Sequence, residues 1–148
     1  MSKQLAAVSV VVLIFDAKKR VLLLRRRDDG LWHFPEGHVK PMESAETAAK
    51  REVREETGIE VRKLSLMNAH HTPPSEPGAP PYIHFVFKAL EWTGTARNME
   101  PKEAFEVQWF GEDPKSGGFS DQMRAVSLGT DFPGTLIVDR WDGQEEIY

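Results

Sequence analysis

Three glutamates on one predicted helix are the residues best suited to chemistry in this chain. Glu52, Glu55 and Glu56 lie in the segment 44–57, which has no Gly or Pro and is dense in the helix formers Ala, Glu and Arg. At about 100° per residue, their carboxylates fall within an arc of roughly 100°. Like charges so placed destabilise a helix by about 0.2–0.5 kcal/mol per pair. A divalent cation would offset this cost, because Mg²⁺ takes carboxylate oxygens together with substrate phosphates.

The residues around these glutamates decide between a metal site and an ordinary solvated, charged helix face. A Gly stands six positions before a Glu, which stands eight positions before the run Arg-Glu-Val-Arg-Glu-Glu-Thr-Gly-Ile. This pattern resembles the signature of the Nudix family, which specifies nine positions within 23 residues. All nine are matched, by Gly37, Glu43, Arg51, Glu52, Val53, Glu55, Glu56, Gly58 and Ile59.

The resemblance implies a role in a metal-dependent hydrolysis for six of the matched residues. The groups implied to bind Mg²⁺ or Mn²⁺ are the side chains of Glu52, Glu55 and Glu56 and the Gly37 carbonyl. Catalytic roles are implied for Glu52, Arg51, Glu55 and Glu43. Arg51 would form a bidentate ion pair with the carboxylate of Glu43 or of a neighbouring residue. Such a metal bridges carboxylates to an anionic diphosphate and lowers the pKa of a bound water. A carboxylate then removes the proton from that water.

The general base is the role that the resemblance leaves open. Glu52 is one candidate, and Glu100, Glu103 and Glu106 are others outside the motif. Many relatives have Pro-Gly-Gly before the motif helix, whereas this chain has Glu36 at the middle position. Glu36 adds a negative charge beside the site, and we expect it to affect substrate or metal preference.

The leading prediction for the reaction is hydrolysis of a nucleoside triphosphate to the monophosphate and pyrophosphate. It depends on the run 98–102, Asn-Met-Glu-Pro-Lys, which is similar to MutT-like nucleoside-triphosphate pyrophosphatases. The run 34–39 is instead similar to hydrolases of dinucleoside polyphosphates and diphosphoinositol polyphosphates, except that Glu36 replaces a Lys. A dinucleoside polyphosphate and a nucleotide sugar such as ADP-ribose are therefore the alternative substrates. A module that senses a nucleotide without cutting it is the non-enzymatic alternative.

Candidate substrate contacts are aromatic or polar residues on the predicted strands and loops. They are Arg26, Phe34, Tyr82, His84, Asn98 and Glu100. On a strand, Tyr82 and His84 share one face while Phe85 and Phe87 share the other, and the sequence leaves open which face lines the cleft. Asn98 has a structural alternative, because Asn and Pro favour turns for backbone reasons.

Apolar runs and turn signals predict the elements that must position these residues. Strands are expected at 6–15, 21–24, 31–34, 61–69, 82–92 and 106–110, the first two forming a hairpin. A helix is expected at 44–57, with Ser44 at its start and Gly58 at its end, and loops at 70–81 and 93–102. A second helix is expected at 120–127 and an extended piece at 135–138. The fold prediction is a single α/β domain, 1–148: a Nudix-type α/β/α sandwich with a mixed sheet and a carboxylate-bearing helix.

Composition narrows the remaining function classes. The chain has 148 residues, a formal charge of −4 and no Cys, which excludes disulfides, thiolate metal sites and cysteine nucleophiles. The acidic balance argues against a nucleic-acid partner. The early apolar run 5–15 is too short to span a bilayer. We expect a cytoplasmic enzyme with a small-molecule nucleotide substrate and no membrane partner, and family members often form homodimers.

Overall fold

The computed structural model describes residues 5–111, which form seven strands and one helix. The elements are β1 (Ala7–Leu13), β2 (Val21–Arg26), β3 (Trp32–His33), β4 (Glu36–His38), α1 (Ala45–Thr57), β5 (Glu60–Thr72), β6 (Tyr82–Thr93) and β7 (Ala104–Phe110). The helix and extended piece predicted at 120–127 and 135–138 lie outside the described residues. No helix within residues 5–111 is long and apolar enough to cross a bilayer.

The strands form two sheets, and the larger one is mixed. Its order is β4-β1-β6-β5, in which β1 runs parallel to β6 while the other neighbours are antiparallel. The smaller sheet has the order β3-β2-β7 and is antiparallel throughout. The predicted α/β class with a mixed sheet is therefore confirmed.

The predicted β1–β2 hairpin is wrong, because the two strands belong to different sheets. Both edges of β1 are occupied, one by β4 and the other by β6, so β2 has no edge to join. The chain between them turns at Asp16, whose side chain accepts hydrogen bonds from the backbone of Lys18 and Arg20. Only the bridge between Phe15 and Val21 links the two ends.

Helix α1 begins and ends at the residues that the sequence predicts. The Ser44 hydroxyl accepts a hydrogen bond from the Thr47 backbone at 3.1 Å, which caps the first turn. Gly58 adopts φ 77°, and its N–H bonds to the Arg54 carbonyl, which ends the helix. Between these caps, small and branched apolar residues are fully buried against the larger sheet, namely Ala48, Ala49 and Val53. The helix face that remains carries the motif glutamates toward the β4 side.

Phe34 belongs to the core and not to a binding surface. Its side chain is 1% exposed, and it packs in a cluster with Val11, Leu13, Leu23 and Val86. Burial of a ring of this size contributes substantially to stability through area removed from water.

The first prediction concerns this ring. Phe34→Ala should lower the free energy of unfolding by about 3–5 kcal/mol, because it removes buried area and leaves a cavity. Phe105→Ala is the matched control, since that ring is 43% exposed and should cost less than about 1 kcal/mol. Urea unfolding of both variants measures the difference. Equal destabilisation by the two substitutions would contradict the core position of Phe34.

Candidate active site

The guanidinium of Arg51 is the centre of the site, because each of its five N–H groups makes a hydrogen bond. Nε and Nη2 form a bidentate pair with the Glu43 carboxylate at 2.7 and 2.9 Å. Nη1 donates to Glu52 at 2.8 Å and to Glu55 at 3.2 Å. Nη2 also donates to the His38 carbonyl at 3.0 Å. The fork predicted from the sequence is present, and it joins the helix to the loop before it.

This ion pair sets the charge state of Glu43. Hydrogen bonding from Arg51, together with the Lys40 backbone N–H, lowers the pKa of Glu43 to about 2. The same pairing raises the pKa of Arg51. Both shifts favour the charged forms of the two groups, whose ion pair holds the loop 39–43 against α1.

Glu56 is a carboxylate in an environment that disfavours its charge. Its exposure is 8%, and burial, followed by the neighbouring charges of Glu52 and Glu36, raises its pKa well above the ordinary value. The backbone N–H of Glu36 donates to it at 3.2 Å and opposes that shift only in part. Two carboxylates in contact at a buried position are chemically suited to a shared cation.

Gly37 is required by the close approach of β4 to the helix. A Cβ added at this position would overlap the Glu52 carboxylate, so any other residue would displace that side chain. The glycine at this motif position is therefore explained by the space that the Glu52 side chain occupies.

These residues open into a cavity of about 600 Å³, a size typical of small-ligand sites. Six glutamates line it, namely Glu36, Glu52, Glu55, Glu56, Glu100 and Glu103. The cationic lining residues are Arg26 and Lys40, and the neutral or ring-bearing ones include Ser9, His38, Tyr82 and His84. The cavity thus has a carboxylate side on α1 and a side of rings and hydroxyls on the larger sheet.

Four of the six predicted substrate contacts line this cavity: Arg26, Tyr82, His84 and Glu100. The face of β6 that carries Tyr82 and His84 is the one turned to the cavity, while Phe85 and Phe87 pack in the core. Their roles in binding stay predictions.

Phe34 and Asn98 are corrections to the predicted set. Phe34 is enclosed in the core described above and cannot stack on a ligand in the cavity. The Asn98 amide donates to the Ala104 carbonyl at 2.9 Å, and its oxygen accepts from the Glu100 backbone at 3.1 Å. Asn98 therefore serves the turn that brings Glu100 to the cavity. Glu106, a candidate base, lies outside the lining and pairs with Arg25 at 3.4 Å.

Sequence reasoning missed three polar lining residues, Ser9, His38 and Lys40. Ser9 did leave a signal, since it is the single polar residue within the run 6–15. His38 ends β4 and Lys40 lies in the loop that follows, and neither has a distinctive spacing. Only the folded chain brings His38 beside Tyr82 of β6.

The negative charge of Glu36 is compensated within the site. His33, 7% exposed, lies between two carboxylates, with Nδ1 2.8 Å from Glu36 and Nε2 2.8 Å from Asp29. Arg26 approaches Glu36 at 3.8 Å. Burial lowers the pKa of His33, but hydrogen bonds and charge from Glu36 and Asp29 outweigh it and raise the pKa above the usual value.

This geometry predicts a pH dependence of stability. Because the folded pKa of His33 is raised, its stabilising charge is fully present below about pH 6.5, the unfolded value. The stabilisation is lost as pH rises through the folded pKa. The free energy of unfolding should therefore fall across that window in the wild type, and less so in His33→Asn. The exposed His71 provides the control, since His71→Asn should retain the wild-type slope. Parallel pH profiles for wild type and His33→Asn would refute this assignment.

Comparison with known proteins agrees with this geometry. The NUDIX domain model matches residues 5–114. A putative 8-oxo-dGTP diphosphatase of Bacillus subtilis is 39% identical over 62 residues, which cover 42% of each chain. A dihydroneopterin triphosphate diphosphatase of Escherichia coli is 44% identical over 69 residues, covering 44% of this chain and 46% of the relative. The chain therefore spans less than half the length of either relative.

Solved structures share the fold over a greater length. The crystal structure of a MutT NUDIX hydrolase from Burkholderia pseudomallei superposes with a TM-score of 0.71 and 25% identity, covering 82% of this chain and 95% of that one. The family model covers well over half of the chain, and four of the nine motif residues line one cavity, namely Gly37, Glu52, Glu55 and Glu56. The chain belongs to the Nudix family of MutT-like hydrolases.

Proposed function

We propose that this protein hydrolyses a nucleoside triphosphate to the monophosphate and pyrophosphate, with Mg²⁺ or Mn²⁺ as cofactor. One observation carries the proposal: the carboxylates that Arg51 orients on α1 open into the same cavity as a set of rings on β6. A triphosphate attached to a heterocycle has one half that suits the carboxylate side of the cavity and one half that suits the rings. Its phosphates would lie along the carboxylate side and its heterocycle along the rings.

The residues present fit a hard divalent cation. Within residues 5–111, no three His, Asp or Glu side chains converge closely enough to ligate one ion by themselves. Mg²⁺ does not need that number, since it commonly takes one or two carboxylates and completes its shell with water and substrate phosphates. Glu56 and Glu52 are the best candidates, because they meet at a buried position where their like charges oppose each other. Glu55, whose side chain is 42% exposed, would add a third oxygen donor, and the Gly37 carbonyl a fourth.

The cation would neutralise the phosphates and lower the pKa of a water bound to it. The chain's own contribution begins with Arg51, which fixes the orientation of Glu52 through Nη1. Glu100 also lines the cavity, and burial, followed by the charges of Glu52 and Glu55, raises its pKa. A carboxylate with a raised pKa is a better proton acceptor, so Glu100 is our candidate for the base that deprotonates the attacking water.

Two cationic side chains suit the phosphate groups of the substrate. Arg26 and Lys40 line the cavity that the six glutamates dominate. They reduce repulsion of an anionic substrate and would bind the phosphate oxygens that the cation does not reach. The named substrates of both curated relatives, 8-oxo-dGTP and dihydroneopterin triphosphate, are triphosphates of oxo-substituted heterocycles. This favours a triphosphate over the dinucleotide and sugar alternatives.

A substrate panel tests the reaction. The pure protein is incubated with Mg²⁺ and nucleoside triphosphates, including 8-oxo-dGTP, and with dinucleoside polyphosphates and ADP-ribose. Pyrophosphate and a monophosphate are the expected products. Turnover of dinucleotides or ADP-ribose alone would replace the triphosphate assignment. Tight binding of one nucleotide with no turnover of any compound would favour a sensor.

The burial of Glu56 gives a sharper prediction about the site itself. Glu56→Gln should reduce turnover by about 100-fold or more, since it removes a candidate ligand. It should also raise the free energy of unfolding in the absence of metal, because the amide is neutral, can still accept from Glu36 N–H and can donate to Glu52.

Chemical denaturation and steady-state kinetics of the same variant measure both effects. Mg²⁺ is expected to stabilise the wild type, and this stabilisation should be lost in the variant. Glu46→Gln, an exposed substitution in the first turn of the same helix, should leave all three quantities near wild type. A variant that keeps its turnover, or that is destabilised without metal, would contradict the placement of Glu56.

A further inference from the structure

A row of polar side chains crosses the larger sheet within the cavity. In strand order, His38 on β4 pairs with Ser9 on β1, Ser9 pairs with His84 on β6, and His84 pairs with His70 on β5. Residues directly opposite each other on neighbouring strands share a face. Three of the four, all except His70, line the cavity. The row lies on the larger sheet, whereas the motif carboxylates that line the cavity lie on α1.

Neighbouring rings fix the orientation of His84 at the centre of this row. The Tyr82 ring lies parallel to it, with an interplanar angle of 4° and centroids 5.4 Å apart. The His70 ring stacks at 5.8 Å and 25°. The Tyr82 hydroxyl is in turn 3.2 Å from Nε2 of His38. An imidazole packed between two rings has little freedom to rotate, so its nitrogens point in defined directions.

The surroundings of His84 favour its neutral form. Burial lowers the pKa of its imidazole, and the nearby His70 and His38 lower it further, against a weaker opposing effect of Glu36. A neutral imidazole has one N–H donor and one nitrogen acceptor, and the hydrogen bond at one nitrogen determines the other.

The Ser9 hydroxyl determines which nitrogen carries the proton. Ser9 Oγ contacts Nδ1 of His84, and this is the one side-chain hydrogen bond that Ser9 makes among residues 5–111. Ser9 is 7% exposed, so a hydroxyl hydrogen without an acceptor would be costly there. If Nδ1 donated to Ser9, that hydrogen would have no acceptor. If Ser9 donates to Nδ1, both groups are satisfied by a single bond. The second arrangement is favoured, and it leaves the proton of His84 on Nε2, the ring nitrogen farther from the backbone.

We propose that Ser9 and His84 form a head-group reader, in which the Nε2–H of His84 donates to an acceptor atom on the heterocycle of the substrate. Ser9 is a positioning residue that acts through His84, and Tyr82 supports the ring. The reader takes aromatic heterocycles that present an oxygen or an unprotonated ring nitrogen, such as the oxopurine of guanine. This inference depends on the proposed function for the phosphate half of the substrate and adds the recognition of the other half.

The protonation of His84 can be measured without any substrate. Nitrogen NMR of the uniformly labelled protein distinguishes the two neutral tautomers of each histidine. In the wild type, His84 should carry its proton on Nε2. Ser9→Ala should give a mixture of tautomers, and Ser9→Thr, which keeps the hydroxyl, should restore the wild-type state. A proton on Nδ1 in the wild type, or a spectrum unchanged in Ser9→Ala, would overturn the proposal.

Binding of dGMP tests the recognition step, with ribose 5-phosphate as the ligand that lacks the heterocycle. In the absence of metal, the wild type should bind dGMP more tightly than ribose 5-phosphate. Titration with dGMP should shift the Nε2 resonance of His84. His84→Ala should weaken dGMP binding about tenfold and leave ribose 5-phosphate unchanged. His84→Gln keeps a donor and should recover part of the loss, while His71→Ala on the exposed face of β5 should bind as the wild type.

These experiments distinguish a failure of the proposed recognition by His84 from a failure of the proposed hydrolysis. Equal weakening of both ligands by His84→Ala, or no response of His84 to dGMP, would overturn the reader even if triphosphates are hydrolysed. Absence of hydrolysis with an intact dGMP response would instead overturn the proposed reaction and leave the reader standing.

Discussion

The hydrogen bonds of Arg51 are the interaction on which the rest of the site depends. One planar guanidinium joins the loop before α1, through Glu43 and the His38 carbonyl, to the helix face that carries Glu52 and Glu55. The fork geometry of Arg fixes directions as well as distances, which a single ammonium charge does not. Because all five donors are used, movement of the loop or of either helix carboxylate breaks a charge-assisted bond.

This constraint explains the other unusual features of the site. With Glu52 held in place, its carboxylate occupies the space that a side chain at position 37 would need. It also places Glu52 beside the buried Glu56, where the two charges oppose each other and the pKa of Glu56 is raised. The folded protein thus maintains an electrostatic conflict that a bound cation would relieve. Such conflicts lower stability and persist where function requires them.

The sequence predicted the parts of the site that are local and failed on those that depend on strand pairing. Glu43 and Arg51 lie on one turn-and-helix segment, so their spacing determines their contact. The hairpin of β1 with β2 was wrong because an apolar run identifies a strand but not its neighbour. Phe34 was misassigned because an aromatic residue in an extended piece suits either a core or a cleft. The contact of Ser9 with His84 joins residues 75 positions apart, so only the parallel pairing of β1 with β6 brings it about.

Arg51→Lys is the substitution that tests this account most directly, since it keeps the charge and removes the fork. Arg54→Lys, exposed on the same helix, is the matched control. The measurement is kcat with Mg²⁺ and a saturating nucleoside triphosphate, alongside circular dichroism to verify folding. A fall of about 100-fold in Arg51→Lys alone is expected, because the carboxylates lose their common orientation. A folded Arg51→Lys variant with the kcat of the wild type would contradict the central position given to this side chain.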